Sequence, residues 1–389
     1  MSEIKVLHVM RPAEGGMRTH VFALLKKLNK KIFRPIAALP QNMVVDRKVL
    51  TEDIEIYPID FNAGPYLFSD LRAVAQLVKI IRRNKISLLH VHGARAGFVG
   101  RTAALLSGVP VIIYTVHNFI YKGDSPHWQK KVCPLMESLY CRFTDMYITV
   151  SKALAEEVNK IDFIPREKIT TIYNGIDLNE FNVILDCTEK KKELGLNPYA
   201  PVVGTVGRLI PSKGISYFIE AAAEIKKKFP RTQFVVLGDG PERTKLESKA
   251  RALSLFPNIK FLGYRRDFHG ILPVINIFVM PSLTEGQSIA VLEAMAARRP
   301  VVAFAVGGIP EIISHNCTGI LVPNINSLSL ANAVIKLMEN PFKAEMLGNN
   351  ARDLVEEKFN QDAMVRKTEE VYLHCLKQKG IALEPVFTH

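Results

Sequence analysis

Cysteine is scarce and scattered. The five present, Cys133, Cys141, Cys187, Cys317 and Cys375, show no CxxC or other metal-ligand spacing. An odd, dispersed set reads as reduced thiols in a cytosolic protein, not as a disulfide framework. Long apolar runs are missing as well: nothing approaches the ~18 residues that span a bilayer, and the most apolar stretch, 271–283, is broken by Asn276 and two prolines. The opening Met1-Ser2-Glu3-Ile4-Lys5 carries a charge on either side of Ile4, so no signal peptide is expected. There is no low-complexity segment and no solenoid-type repeat. The dinucleotide fingerprint GxGxxG is absent; Gly238-Asp239-Gly240-Pro241 has two of its glycines and lacks the third. These absences argue against a membrane-spanning chain, a secreted disulfide scaffold and a dinucleotide-dependent oxidoreductase.

What is present is a chain of 389 residues, 48% hydrophobic and 23% charged. That composition describes a folded globule, and the length suggests two or three domains. The net charge is +13. In the first half, basic residues cluster at Lys26-Lys27, Lys30-Lys31, Arg82-Arg83-Lys85 and Lys130-Lys131. Such clusters suit nucleic acid, an anionic membrane surface or a polyphosphate ligand, and equally well a set of solvated helix faces.

The first apolar run spans 4–10, meets a loop at Gly15-Gly16-Met17, and gives way to a helical pattern from 19 to about 28. Apolar runs at 35–39, 54–59, 87–91, 109–116 and 146–150 follow, with helical stretches between them. After a turn at Asn174-Gly175 and a lysine-rich stretch, the plan restarts. A strand at 202–206 runs into Gly207-Arg208-Leu209, then Ser212-Lys213-Gly214 and a helix over 215–229. Strands are expected again at 233–237, 260–262, 277–279 and 301–303. Continuous apolar strands alternating with helices predict an α/β protein of two Rossmann-like, doubly wound domains, their parallel sheets facing across a cleft.

The second half holds the densest chemistry. Arg208 and Lys213 leave one strand end with glycines beside them, and two fixed cations suit a diphosphate whose negative charge grows as it departs. The segment Pro281-Ser282-Leu283-Thr284-Glu285-Gly286-Gln287-Ser288 leads into a helix carrying Glu293. A helix N-terminus welcomes phosphate oxygens, and two carboxylates about two turns apart can each accept hydroxyl hydrogen bonds from one extended ligand. In the first half His117 ends the 111–116 run at the carboxyl edge of its strand, where a buried, satisfied histidine is the plainer alternative. His90 and His92 share one strand face; with no third ligand in view, they read as sheet and rim residues and not as metal ligands.

Together these segments resemble the family-4 retaining glycosyltransferases of the GT-B fold along nearly the whole chain. The resemblance rests on Gly15-Gly16-Met17, Thr115-Val116-His117, Val150-Ser151, Tyr173-Asn174-Gly175-Ile176-Asp177, Gly207-Arg208-Leu209 with Lys213-Gly214, and Gly238-Asp239-Gly240-Pro241. It continues through Phe261-Leu262-Gly263-Tyr264, Pro281-Ser282, Glu285-x7-Glu293, Pro300-Val301-Val302 and Gly307-Gly308-x-x-Glu311. The order and spacing of these motifs carry it.

The resemblance implies an acceptor-side domain over 1–180, a nucleotide-sugar domain over 181–361, and a last helix in 362–389 packed back on the first domain. It implies that Arg208 and Lys213 hold the donor diphosphate, with Gly207 beside them, and that Glu293 takes the ribose hydroxyls. Glu285 and the backbone of Gly286, Gln287, Ser288 and Ile289 would contact the transferred sugar. Tyr264 and Arg265 would flank the base, Gly15 and Gly16 approach the phosphates, and His117 sit beside the sugar. Three residues depart from the family pattern: Arg18 for a frequent Glu, Gln287-Ser288 in the sugar-facing loop, and Arg298 where a glycine commonly ends the Glu293 helix.

No Asp-x-Asp occurs in the chain, so the divalent-metal clamp of the other main glycosyltransferase fold is not expected, and neither is a cofactor. By resemblance the donor is a UDP sugar carrying a hexose or N-acetylhexosamine. The acceptor is a glycan, a lipid-linked or a small molecule in envelope polysaccharide synthesis, reached from the cytoplasm or an anionic membrane face. A GT-B nucleotide-sugar 2-epimerase is the nearest rival. A non-catalytic nucleotide- or nucleic-acid-binding protein would use the charge but leave Arg208, Lys213, Glu285 and Glu293 unexplained, and no nucleic-acid module is evident.

Overall fold

The computed structural model describes residues 3–12, 15–40, 54–61, 66–119, 127–161, 164–182 and 185–381, with backbone alone for 66–67 and 127–133. The first strand, β1 (Ile4–Met10), is buried at nearly every position, as a strand covered on both faces must be. It is followed by β2 (Phe33–Pro40), β3 (Glu55–Ile59), β4 (Leu88–His92), β5 (Val111–Val116), β6 (Met146–Thr149) and β7 (Ile169–Thr171). After these come β8 (Val202–Val206), β9 (Gln233–Leu237), β10 (Ile259–Gly263), β11 (Ile277–Met280), β12 (Val301–Phe304) and β13 (Ile320–Val322).

They form a seven-stranded sheet of order β3-β2-β1-β4-β5-β6-β7 and a six-stranded sheet of order β10-β9-β8-β11-β12-β13. Every pairing is parallel, so each connection crosses over through a helix or loop. The chain divides into two compact units, residues 1–174 with 361–389, and residues 175–360.

In each sheet the winding reverses once. β1 lies between β2 and β4, and β8 lies between β9 and β11. Loops leaving the carboxyl ends of β1 and β4, and of β8 and β11, therefore diverge to opposite faces and open the crevice where such sheets bind ligands.

The alternation of strand side chains sorts the first sheet into two apolar layers. Leu7, Val9, Leu89, Val91, Ile112 and Tyr114 belong to one. Val6, Leu88, Val111, Ile113 and Ile148 belong to the other, and the helix Gln361–Gln378 covers it with Met364, Val365, Tyr372, Cys375 and Leu376. Burying one such Leu or Met side chain is worth ~1.5–3 kcal/mol, so this helix is firmly held on the first unit although it comes last in the chain.

Residues 66–68 begin the helix Tyr66–Asn84, and Phe68 stands out from it 69% exposed. The side chains of Tyr66, Leu67, Lys130 and Lys131 lie outside the described residues. The short edge strands β7 and β13, three residues each, did not register as apolar runs. Arg298 does adopt a left-handed backbone, with φ 57°. For a non-glycine residue that costs ~1–3 kcal/mol, partly offset by Arg298 Nη1 donating to Asn349 Oδ1 at 3.0 Å.

Candidate active site

In the second unit β8 passes directly into Gly207 and Arg208. The Gly207 N–H donates to the Leu237 carbonyl at 3.0 Å and the Leu209 N–H to that of Asp239 at 2.9 Å, tying this loop to the end of β9. A short turn, Pro211–Lys213, then ends at Gly214 with φ 63°. A Cβ there would fall 1.9 Å from the Pro281 carbonyl oxygen, so only glycine lets this loop lie against the end of β11. The Leu283 N–H completes the join by donating to the Ser212 carbonyl at 2.9 Å.

That close approach brings together side chains 72 positions apart. Lys213 Nζ donates to Glu285 Oε1 at 2.6 Å, and Ser282 Oγ donates to the same oxygen at 2.8 Å. Glu285 is only 4% exposed, and its backbone carbonyl accepts from the Gly308 N–H at 3.0 Å. Arg208 stands in contrast: it is exposed, and among the described residues no ion pair engages it. One cation is thus held by a buried carboxylate and the other is available to an anion from solution.

Gly286, Gln287, Ser288 and Ile289 are all buried. Ser288 caps the helix Ile289–Ala296, its Oγ accepting from the Val291 N–H at 3.4 Å. That cap occupies one of the four free N–H groups at the helix start and leaves the others to their surroundings.

Along this helix Glu293 meets His269, a residue that no motif in the chain singles out. His269 Nε2 lies 3.4 Å from Glu293 Oε1 and Nδ1 lies 3.5 Å from Glu180 Oε2, with the Phe181 ring 4.7 Å away. Burial raises the Glu293 carboxyl above its ordinary pKa, against the opposing pull of His269. Burial alone would lower His269, but its bond to Glu293 and the charges of Glu293 and Glu180 outweigh that and raise it. His269 sits in a four-residue helix, Phe268–Ile271, too short to show any period.

The same loop carries Tyr264 and Arg265. Tyr264 is 50% exposed. Arg265 forks onto Asp267 through Nε and Nη2, both at 2.7 Å, and reaches Glu193 at 3.2 Å, which locks its guanidinium in place.

The remaining sequence-selected residues belong to the first unit. Gly15, with φ 75°, opens the helix Gly16–Lys27 after β1. His117 follows β5 and is buried with four other histidines, which corrects the expectation that His90 and His92 lack a third nitrogen nearby. Strand register explains the gathering: His8 pairs with His90 across β1 and β4, and period two puts His92 and His117 on the same face. His20 comes from the Gly16–Lys27 helix, its ring 4.8 Å edge-on from His117. His8 Nδ1 is 3.2 Å from His92 Nε2, and His92 Nδ1 is 3.3 Å from His117 Nε2. Burial depresses all five, His20 to about 4 and His8 to about 3, so they are neutral at physiological pH. Matching the strand registers of β1, β4 and β5 is the signal that would have found this set.

Known proteins bear on both units. Residues 14–180 match the model described as Glycosyltransferase Family 4, and residues 186–354 match that of Glycosyl transferases group 1. An uncharacterised glycosyltransferase of Methanocaldococcus jannaschii is 32% identical over 313 residues, 77% of this chain and 78% of that protein. The UDP-Gal:alpha-D-GlcNAc-diphosphoundecaprenol alpha-1,3-galactosyltransferase of Escherichia coli is 29% identical over 317 residues, covering 80% and 82%. Among solved structures, Anabaena HepE in complex with UDP and glucose superposes with a TM-score of 0.83 at 22% identity, over 96% of this chain and 100% of that one. The two parallel-sheet units are those of the GT-B fold.

Proposed function

This chain belongs to glycosyltransferase family 4, and we propose that it is a retaining, metal-independent member that takes a hexose or N-acetylhexosamine from a UDP sugar. The acceptor is a glycan, a lipid-linked sugar or a small molecule, in the synthesis of cell-envelope polysaccharide. The UDP donor is supported by the UDP-Gal galactosyltransferase of E. coli among its relatives and by the UDP bound in the Anabaena structure. The unit 175–360 serves the donor, and the unit formed by 1–174 and 361–389 serves the acceptor.

The observation that carries the reading is the arrangement at the switch point of the second sheet: exposed Arg208 after β8, and Lys213 in the same loop held by Glu285, which follows β11 and is itself bonded by Ser282. When the bond from sugar to diphosphate breaks, negative charge accumulates on the leaving phosphate. Two preorganised cations favour that state over the ground state and so lower the barrier. Glu285 aims the Lys213 ammonium, and with the backbone of Gly286, Gln287, Ser288 and Ile289 it meets the transferred sugar. Glu293 accepts from the ribose hydroxyls while Tyr264 and Arg265 flank the base. Gly15 and Gly16 let the backbone approach the phosphates, and His117 acts on the sugar.

A panel of nucleotide sugars, with release of free nucleotide diphosphate as the readout, tests this directly. Slow hydrolysis of UDP sugars that keeps most of its rate in excess EDTA is the expected result. Loss on chelation with recovery on Mn²⁺ or Mg²⁺ overturns metal independence. A 2-epimer formed without acceptor overturns transfer in favour of epimerisation.

A further inference from the structure

At His20 an outer contact fixes where the lone pair lies, and at His92 the contact with His8 admits a matching arrangement. His20 Nδ1 donates to Asn174 Oδ1 at 2.9 Å, so Nε2 carries the lone pair, and among the described residues this buried nitrogen has no hydrogen-bond partner. His92 Nε2 lies 3.2 Å from His8 Nδ1. When it donates there, the lone pair of His92 sits on Nδ1, the nitrogen 3.3 Å from His117 Nε2. One ring nitrogen from each of His20, His92 and His117 lies within 4.8 Å of the others. His90 is different: Tyr372 OH at 2.5 Å and Thr115 Oγ1 at 2.6 Å occupy both of its nitrogens. Of the two histidine trios in this cluster, only the one without His90 keeps three nitrogens for a ligand.

From this geometry we infer that His20, His92 and His117 form a binding site for one divalent d-block cation, zinc above all. A tetrahedral zinc with nitrogens at ~2.0–2.1 Å sets its ligands about 3.3 Å apart, which is the His92–His117 separation already present. The Asn174–His20 bond has the form that commonly orients a metal-bound imidazole from behind. Neutral imidazole is the ligating form, and burial keeps all three rings neutral, so no proton has to be expelled at physiological pH. The fourth position is left to water or an anion from the side of His117, which follows β5 at its carboxyl edge. This cation is not part of transfer. It takes the His117 lone pair, so on the functional reading above its occupancy silences the enzyme.

The test uses the full chain, stripped with chelator and then freed of it. Cobalt(II) titration should produce the visible absorption of a four-coordinate ion, saturating at one equivalent and bleached by zinc. Zinc should raise the Tm of the wild-type protein, a reading that needs no variant to fold. His20→Asn should abolish the cobalt band, and Asn174→Ala should weaken binding about 10–100-fold. No saturable band and no zinc-dependent Tm shift in the wild type overturns the inference. So does a band that survives His20→Asn, which would place the ion elsewhere. Because binding is read by absorption and Tm, these outcomes stand apart from any failure of sugar transfer. Zinc inhibition of UDP-sugar turnover, reversed by EDTA, then tests the consequence.

Discussion

Arg208 and Lys213 have the same charge and different surroundings, and the difference predicts different failures. Each charge-assisted contact to a departing diphosphate supplies ~2–4 kcal/mol in the transition state, so Arg208→Ala and Lys213→Met should each lower turnover ~30–1000-fold. Only Lys213→Met should also lower Tm, because it strands the carboxylate of Glu285, which is buried and bonded to Lys213 at 2.6 Å. Adding Glu285→Gln to Lys213→Met should recover Tm and leave turnover low. Wild-type turnover in Arg208→Ala or Lys213→Met would remove the assignment altogether. Glu293→Ala acts on a contact alike in ground and transition states, so it should weaken UDP binding more than it slows the chemical step. His117→Ala should slow transfer and leave UDP affinity nearly unchanged. Both are separated by calorimetric titration of UDP beside turnover. The sequence showed which residues carry charge here. It could not show that Lys213 and Glu285 neutralise one another, because that pairing depends on a glycine-permitted approach between two loops.

Among the elements, strands long enough to show a continuous apolar run were legible, and their ends shifted by only a residue or two. β7 and β13 were not, since three residues cannot display a period. The histidine cluster is a register effect spread over three strands and a helix, invisible until β1, β4 and β5 are laid side by side. The Ile289–Ala296 helix carries a further consequence through Glu293 and its neighbour His269. Both hold a proton more tightly in the folded chain than their ordinary values of 4.5 and 6.5. At these two groups the folded state carries the surplus protons, so their share of the stability falls with rising pH. The His269 share is fully present below 6.5 and is lost as pH climbs through its raised value. The Tm advantage of the wild type over His269→Gln should shrink as pH climbs from about 6 to about 9, a difference in which the opposing share of the first unit's five depressed histidines cancels. An identical slope in the variant would show that the Glu293–His269 contact does not hold the proton.

At the scale of the whole molecule, the net charge of +13 has a structural counterpart in the first unit. No helix among the described residues is long and apolar enough to cross a membrane. Yet Phe68 and Leu71 on the helix Tyr66–Asn84, Phe98, Leu105 and Leu106 on Ala94–Ser107, and Leu135 and Leu139 on His127–Tyr140 are all exposed, with Phe143 just beyond. The three helices adjoin: Arg82 Nη2 donates to the Leu106 carbonyl at 2.9 Å, and the Phe98 and Tyr140 rings meet at 5.7 Å. Exposed Arg72, Lys79, Arg82, Arg83 and Arg142 stand among them. Apolar side chains ringed by cations suit the headgroup region of an anionic bilayer, where each basic residue near the surface contributes ~1 kcal/mol. We therefore expect the protein to sediment with anionic vesicles at low salt and to be released progressively as salt rises. The two contributions separate by mutation. Leu139→Ser with Phe143→Ser should weaken binding at every salt concentration, whereas Arg82→Gln with Arg83→Gln should weaken it at low salt and flatten its salt dependence. Protein left in the supernatant at low salt would end the membrane proposal and favour a soluble acceptor.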